Sequence, residues 1–407
     1  MKKLSQNFIW MSAANIVSSI FNGLIFIYLA RTLKAEAFGK FSYVQSLVFF
    51  LFNFIDLGLS TYGLREIAKK RDEIFEYVKT IVSLRIIIAS FLYVICIIIL
   101  NFVPKGISFK VLMSLMLLML FSSALATEWA FQGLEKMHMV FISFSLTAIL
   151  QFVLLTIFVR SPLDLWAAPL VIFLGALPII IIFLRILKFN LEIKNFNLAR
   201  IKTYLKSAAI IWAIGLFAQI YNGLDVVILG LFRGVEIVAY FSVARRFIGG
   251  IIFFTIFLAN AALPRLSSAF KEDLQKFKIA TKDFSKLMMI LGILLFIPLI
   301  LFSNQIISLT VGKAYLPASL SFRILVLAAC LVLLNLPFST GLISAGFEKE
   351  VLKQAAACAV LNLALNFVLI PKFGMEGAAI SFFFTEALGL TLILLAYHRN
   401  IRQKIIF

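Results

Sequence analysis

Long apolar blocks alternate with short polar breaks along the whole chain. Blocks of about twenty residues or more recur from end to end, and Val111 to Phe121 running on into Ala130 is one of them. A helix rises about 1.5 Å per residue, so each block is long enough to cross a hydrocarbon core of about 30 Å. A membrane β-barrel would instead show alternating segments of ~10 residues, and that pattern is missing. The periodicity predicts an all-α integral membrane protein of about twelve transmembrane helices. They fall near 8–30, 38–60, 79–103, 108–130, 138–160, 163–187, 205–230, 236–264, 284–309, 318–345, 351–371 and 375–397. The two longest polar stretches, about 188–204 and 265–283, follow spans six and eight and so lie on one side.

Composition agrees with this picture. The 407 residues are 62% hydrophobic and 14% charged, with a mean hydropathy of +1.05, too little charge to cover a soluble surface. The net charge of +19 would suit nucleic acid if it were clustered, but it is distributed by side. Of the 38 Lys and Arg residues, 25 fall on the side holding both termini, nine on the other, and four within spans. That is the positive-inside bias, which predicts a multi-pass membrane protein with both termini cytoplasmic. No extramembrane segment is long enough for a duplex-reading module, so no nucleic-acid partner is expected. The N-terminus lacks a short apolar region with a cleavage site and reads as a retained first span.

Candidate chemistry narrows the field further. Cys96, Cys330 and Cys358 lie in apolar spans without metal-ligand spacing, which predicts neither a metal site nor a disulfide. His138 and His398 sit singly at two helix ends, and no G-x-x-x-x-G-K-[ST] sequence is present. With short outer loops as well, the chain carries no catalytic set and no sign of a cofactor, so an enzyme is not expected.

The sequence repeats itself. Shifted by 200 residues, Phe21-Asn-Gly-Leu24 falls on Tyr221-Asn-Gly-Leu224, Leu29 on Leu229, Glu36 on Glu236 and Phe41-Ser42 on Phe241-Ser242. A second echo at an offset of 213 lays Gly133-Leu-Glu-Lys136 on Gly346-Phe-Glu-Lys349. Both echoes give six spans per half. The expected domains are an N-terminal lobe over 1–190, a basic cytoplasmic linker over 191–204 and a C-terminal lobe over 205–407. An even number of spans makes the halves parallel in topology, an arrangement that suits an alternating-access carrier.

Polar residues inside the spans mark where protein or water replaces lipid. Asn15, Ser19 and Asn22 share a face of span one, and Gln219, Asn222 and Asp225 share a face of span seven. The neutral members serve either as interhelical glue or as cavity lining. A lone charge near the bilayer centre costs at least about 2.5–3.5 kcal/mol. Arg245, Arg246 and Arg323 together with Asp225 and Glu386 therefore predict a hydrated, net cationic cavity in the second half. Arginine forks match phosphate oxygens bidentately, so the natural guest is a phosphate-bearing anion. A cavity carboxylate, Asp225, Glu386 or Glu128, is a candidate for coupling to protons or sodium. An Asp225–arginine pair serving only as a packing device is the competing reading. Asp56 and Arg85 read as a structural ion pair near the headgroups. Pro178, Pro298, Pro337 and Gly249-Gly250 weaken their helices.

Leu29-Ala-Arg-Thr-Leu33, Phe38-Gly-Lys-Phe-Ser42, Asp56-Leu-Gly-Leu59 and Arg65-Glu-Ile-Ala68 resemble the opening of Wzx-type oligosaccharide flippases. Glu128-Trp-Ala-Phe-Gln-Gly-Leu-Glu-Lys136, Asp225-Val-Val-Ile-Leu-Gly230 and Leu369-Ile-Pro-Lys-Phe-Gly-Met-Glu-Gly-Ala-Ala379 continue that likeness over nearly the whole chain. The resemblance implies the multidrug/oligosaccharidyl-lipid/polysaccharide exporter superfamily, with two six-helix lobes around a central cavity. It further implies that undecaprenyl-diphosphate-linked oligosaccharide passes to the outer leaflet, its diphosphate meeting Arg245, Arg246 and Arg323. Other polysaccharide-assembly membrane proteins are candidate partners, beside the bilayer itself. The two extra carboxy-terminal spans of the peptidoglycan-precursor flippases are lacking, so lipid II is not implied. A multidrug/cation antiporter would be expected to use an acidic, aromatic cavity, and a polymerase or ligase a large external loop.

Overall fold

A computed structural model of the chain describes residues 2–190 and 198–403; the side chains of 2–5, 198–200, 222, 251, 253–257, 260 and 402–403 lie outside that description. Residues 191–197 of the expected linker 191–204 lie outside that description, and 198–204 are helical. Among the described residues the structure is helical, with no strand. The first part of the chain forms α1 (Lys2–Asp56), α2 (Leu59–Lys69), α3 (Ile74–Phe102), α4 (Ile107–Leu117), α5 (Met119–Leu125), α6 (Glu128–Gly133), α7 (Met137–Phe158) and α8 (Ala167–Ile186). The second forms α9 (Leu198–Phe232), α10 (Val235–Glu272), α11 (Leu274–Leu301), α12 (Ser303–Thr310), α13 (Ser319–Ser344) and α14 (Glu348–Gln403).

Nine segments among the described residues are long and apolar enough to cross a membrane. Two of them, Gln6–Asp56 and Glu348–Ile401, run to 51 and 54 residues, roughly twice what one crossing needs. Each is interrupted by one non-helical residue, Lys34 in α1 and Gly374 in α14. Helix α3 shows how one span divides its faces. Val78, Ile81, Val82, Arg85 and Ala89 are buried, whereas Phe91, Val94 and Ile98 are exposed. In water that apolar face would be a liability, and in a bilayer it is the lipid surface.

Contacts divide the chain into two compact units, Met1–Gln219 and Ile220–Phe407. The division falls inside α9. The N-terminal part of that helix packs on the first unit, where the Tyr204 ring lies 4.9 Å from Tyr62 and 5.8 Å from Tyr77. Gly58 makes that packing possible. It sits at φ 77, and a Cβ there would stand 2.7 Å from the Ala208 carbonyl oxygen and 2.9 Å from the Trp212 nitrogen.

The 200-residue repeat is visible in the backbone. Lys34 (φ 59, ψ 174) and Gly234 (φ 88, ψ 167) adopt nearly the same conformation at equivalent hairpins. Leu29 and Leu229, Phe41 and Phe241, and Val48 and Ile248 are buried pair by pair. The second echo is off by two residues. The hydrogen bond from Lys136 N to Phe131 O corresponds to that from Phe347 N to Leu342 O, an offset of 211 rather than 213. Helix termini are set by such carbonyl capping, so hydrogen bonding and not residue identity defines the equivalence.

Span four departs from the expectation of one continuous helix over 108–130. It is broken at Ala126 and Thr127, between α5 and α6. Helix α1 likewise ends at Asp56, and Leu57 (φ 47) and Gly58 turn the chain into α2.

Candidate polar centres of the two units

Two turns of neighbouring helices build the centre of the second unit. Tyr221 and Asp225 lie one turn apart on α9, and Phe382 and Glu386 lie one turn apart on α14, so each pair shares a helix face. Arg245 reaches in from α10. Its Nε stands 3.4 Å from Asp225 Oδ2, and its guanidinium carbon lies 4.0 Å from the centre of the Phe382 ring. The Tyr221 ring lies 5.8 Å from Phe382, and its hydroxyl donates to Glu386 Oε1. Asp225 also accepts from the Val226 N–H at 2.8 Å. Asp225 and Glu386 are buried at 3% and 6% exposure. A buried carboxylate without a cation or donor would be prohibitive, and each has one here.

These contacts engage Arg245 through its Nε edge and its π face. The terminal nitrogens, the fork that matches phosphate oxygens, take no partner among the described residues. Arg246 is exposed beside it. Arg323, half-buried on α13, takes a different partner and donates from Nε to Ser303 Oγ at 2.7 Å.

A buried ladder joins the two arms of α14. Asn366 Nδ2 donates to Asn362 Oδ1 at 2.9 Å, Asn362 Nδ2 to Thr385 Oγ1 at 3.3 Å, and Thr385 Oγ1 to Ser381 O at 2.7 Å. Asn366 Oδ1 is buried without a hydrogen-bond partner, and an unmet acceptor costs about 1–3 kcal/mol. Sequence reading passed over Asn362 and Asn366, although two amides four residues apart in an apolar span signal a polar face.

The first unit gathers its charge at the two helix breaks. Arg85 is buried at 4% exposure and donates to Ala126 O at 3.1 Å, to Ser123 O and to Ser60 Oγ at 3.3 Å. It thereby caps the carbonyl end of α5, where a cation is also favoured by the helix dipole. Its Nε is 3.8 Å from Asp56 Oδ1, which also accepts from Ser60 N and Ser60 Oγ. Glu128 stands in the first turn of α6 and accepts from Ser143 Oγ at 2.7 Å. The expected ion pair of Asp56 and Arg85 is present, and Arg85 is enclosed with it at the junction of two interrupted helices, because broken helices leave carbonyls that need a donor. A cavity of about 390 Å³ opens on Asp56, Arg85, Asn53 and Gln219.

The remaining expected residues fall elsewhere. Asn15 is half-buried, and its carbonyl accepts from Ser18 Oγ. Asn22 is exposed, with its amide donating to Ser18 O on its own helix. The Asn222 side chain lies outside the described residues. Another cavity, of about 410 Å³, is lined by Lys278, Lys282, His398 and Tyr397, none of them among the span charges.

Known proteins resemble the chain over most of its length. The family profile described as polysaccharide biosynthesis protein matches residues 4–270, well over half of the chain. The chain belongs to the polysaccharide biosynthesis protein family. A second profile, described as MatE, matches residues 212–368. A Shigella dysenteriae protein named for O-antigen transport is 24% identical over 95% of this chain and 98% of its own length. The capsular polysaccharide biosynthesis protein CapF of Staphylococcus aureus is 23% identical over 95% and 97%. Among solved structures, the lipid II flippase MurJ in an inward closed conformation matches with a TM-score of 0.77 at 16% identity, over 95% of this chain and 87% of that one. At that identity the match speaks for the fold alone, a multi-pass helical architecture.

Proposed function

We propose that this family member is a flippase that carries undecaprenyl-diphosphate-linked oligosaccharide from the inner to the outer leaflet of the bacterial cytoplasmic membrane by alternating access. The observation that supports it most is Arg245, held at one edge by Asp225 and on one face by Phe382, with its fork uncommitted. Such a group offers two parallel donors to a diphosphate and costs little further ordering. Arg246 and Arg323 are assigned to the same anion at other stages of its passage. Asp225 and Glu386 are the carboxylates assigned to proton or sodium coupling, with Glu128 as their counterpart in the first unit. Relatives named for O-antigen transport and capsular polysaccharide biosynthesis favour a lipid-linked glycan as the cargo.

The topology that goes with this reading has twelve crossings, both termini in the cytoplasm, lobes over 1–190 and 205–407, and a basic linker over 191–204. It is supported by the distribution of Lys and Arg. Other polysaccharide-assembly membrane proteins are proposed as partners. A multidrug/cation antiporter of similar fold is the second reading, favoured by the MatE match. Arg245 and Arg246 weigh against it, since they would repel an organic cation.

Reconstituted liposomes test the proposal. The wild type is expected to translocate a fluorescent lipid-linked oligosaccharide, and an Arg245→Ala/Arg246→Ala variant that remains folded is expected to fail. Exchange of organic cations for protons without movement of any lipid-linked sugar would hand the assignment to the antiporter.

A further inference from the structure

The cavity of the first unit has chemistry unlike that of the Arg245 centre. It opens beside the break between α1 and α2 and holds about 390 Å³, within the size range of small-ligand pockets. Asn53 and Gln219 line it, and neither amide has a hydrogen-bond partner among the described residues. The contacts of Asp56 all run through Oδ1, to Ser60 and Arg85, which leaves Oδ2 for the cavity. Phe49 and Phe52, one turn apart on α1 with ring centroids at 5.2 Å, form an aromatic wall.

Each class of guest can be weighed against those groups. An anion is unwelcome, because Asp56 faces it and Arg85, the cation in the wall, is already committed to Asp56 and the carbonyls of Ser123 and Ala126. An organic cation gains little, because Arg85 already neutralises the carboxylate. A purely apolar guest would strand two amides and a carboxylate oxygen without partners. A neutral ring bearing vicinal hydroxyls satisfies all of them. Amide and carboxylate oxygens accept from hydroxyls, amide N–H groups donate to them, and the C–H face of the ring lies against an aromatic side chain.

We propose that this cavity is a glycan subsite that binds one pyranose of the carried oligosaccharide through Asn53, Asp56 and Gln219, with Phe49 and Phe52 as its stacking wall. The proposal rests on the flippase reading and adds to it a division of labour, sugar in the first unit and diphosphate at Arg245 in the second. A pocket built to hydrogen-bond hydroxyls discriminates between sugars, whereas the lipid diphosphate is common to all substrates. The first unit would then carry the specificity for the glycan.

The test uses the full-length protein in detergent on an array of oligosaccharide repeat units from bacterial O-antigens and capsules. Binding of undecaprenyl diphosphate without sugar is measured in parallel. Wild-type protein is expected to bind a subset of the glycans. Asn53→Leu is expected to weaken that binding about tenfold, the equivalent of one hydrogen bond to a hydroxyl, and Phe52→Leu to weaken it as well. Both variants are expected to melt like the wild type and to bind undecaprenyl diphosphate unchanged. Glycan binding that survives both substitutions, or diphosphate binding with no glycan bound, overturns the sugar site and leaves the flippase standing. Cavity-dependent glycan binding without any diphosphate binding overturns the flippase reading instead.

Discussion

Ile25, Gln45 and Ser46 in the first unit correspond, 200 residues on, to Asp225, Arg245 and Arg246 in the second. Ile25 and Asp225 are both buried, and both lie about two and a half turns before the equivalent hairpins at Lys34 and Gly234. The same scaffold position is therefore an ordinary apolar contact in one unit and half of an ion pair in the other. The first unit is not without charge. It carries Asp56, Arg85 and Glu128 where two helices are interrupted, and Arg85 spends its donors on the exposed backbone. The comparison separates two uses of a buried arginine. Arg85 is consumed by the fold, while Arg245 keeps its fork free.

The units also pin their helix ends differently. In the first, the Tyr28 hydroxyl on α1 donates to Val159 O at 2.7 Å at the end of α7. In the second, Arg233 after α9 donates to Pro371 O at 2.7 Å and Lys372 O at 2.6 Å, beside the Gly374 break of α14. Equivalent spans are joined by unrelated side chains, because what needs satisfying is a set of carbonyls and any good donor serves.

The sharpest way to break the comparison is to write the first unit's residues into the second. An Asp225→Ile/Arg245→Gln variant is expected to lose lipid-linked oligosaccharide transport in liposomes entirely. Its melting temperature should hold or rise, since replacing a buried pair by neutral residues is neutral or stabilising by about 1–4 kcal/mol. Retained transport would make the pair a packing device.

Next in size is Arg85→Met, which strands Asp56 and the α5 carbonyls. It is expected to cost about 3–5 kcal/mol, read as a large fall in thermal stability in detergent. A variant as stable as the wild type would deny Arg85 its structural role.

The smallest effects concern the hairpins. Lys34 occupies a backbone region that is essentially reserved for glycine, at a cost of about 1–3 kcal/mol, and its counterpart is Gly234. Lys34→Gly is expected to stabilise by about 1 kcal/mol and Gly234→Ala to destabilise by at least as much, both by thermal unfolding. Tyr28→Phe, which removes one neutral hydrogen bond, is expected to cost about 1 kcal/mol or less.

Much of the second unit's centre was open to a reader of the chain. Asp225, Arg245 and Glu386 are charges in apolar spans, and lipid tolerates those only where protein or water receives them. Tyr221 and Phe382 could not be picked out the same way, because in a chain with 44 Phe and 10 Tyr an aromatic residue carries no signal of its own. Arg323 was legible in the same way from its type and span, but its partner Ser303 at the start of α12 was not.

By itself the sequence determined the membrane class, the approximate spans, the duplication and the charges that lie within the spans. Those follow from hydropathy, from the cost of buried ions and from identity at a fixed offset, all of which are local properties of the chain. Only the tertiary structure decided that span four is broken at Ala126 and Thr127, that Arg85 is enclosed there and that Arg245 lies between Asp225 and Phe382. A helix break in an apolar run leaves little trace in composition, because its unmet carbonyls are satisfied by a donor about forty residues away. Which side chain meets which carbonyl is set by packing between helices, and that is where the two units, alike in pattern, part company.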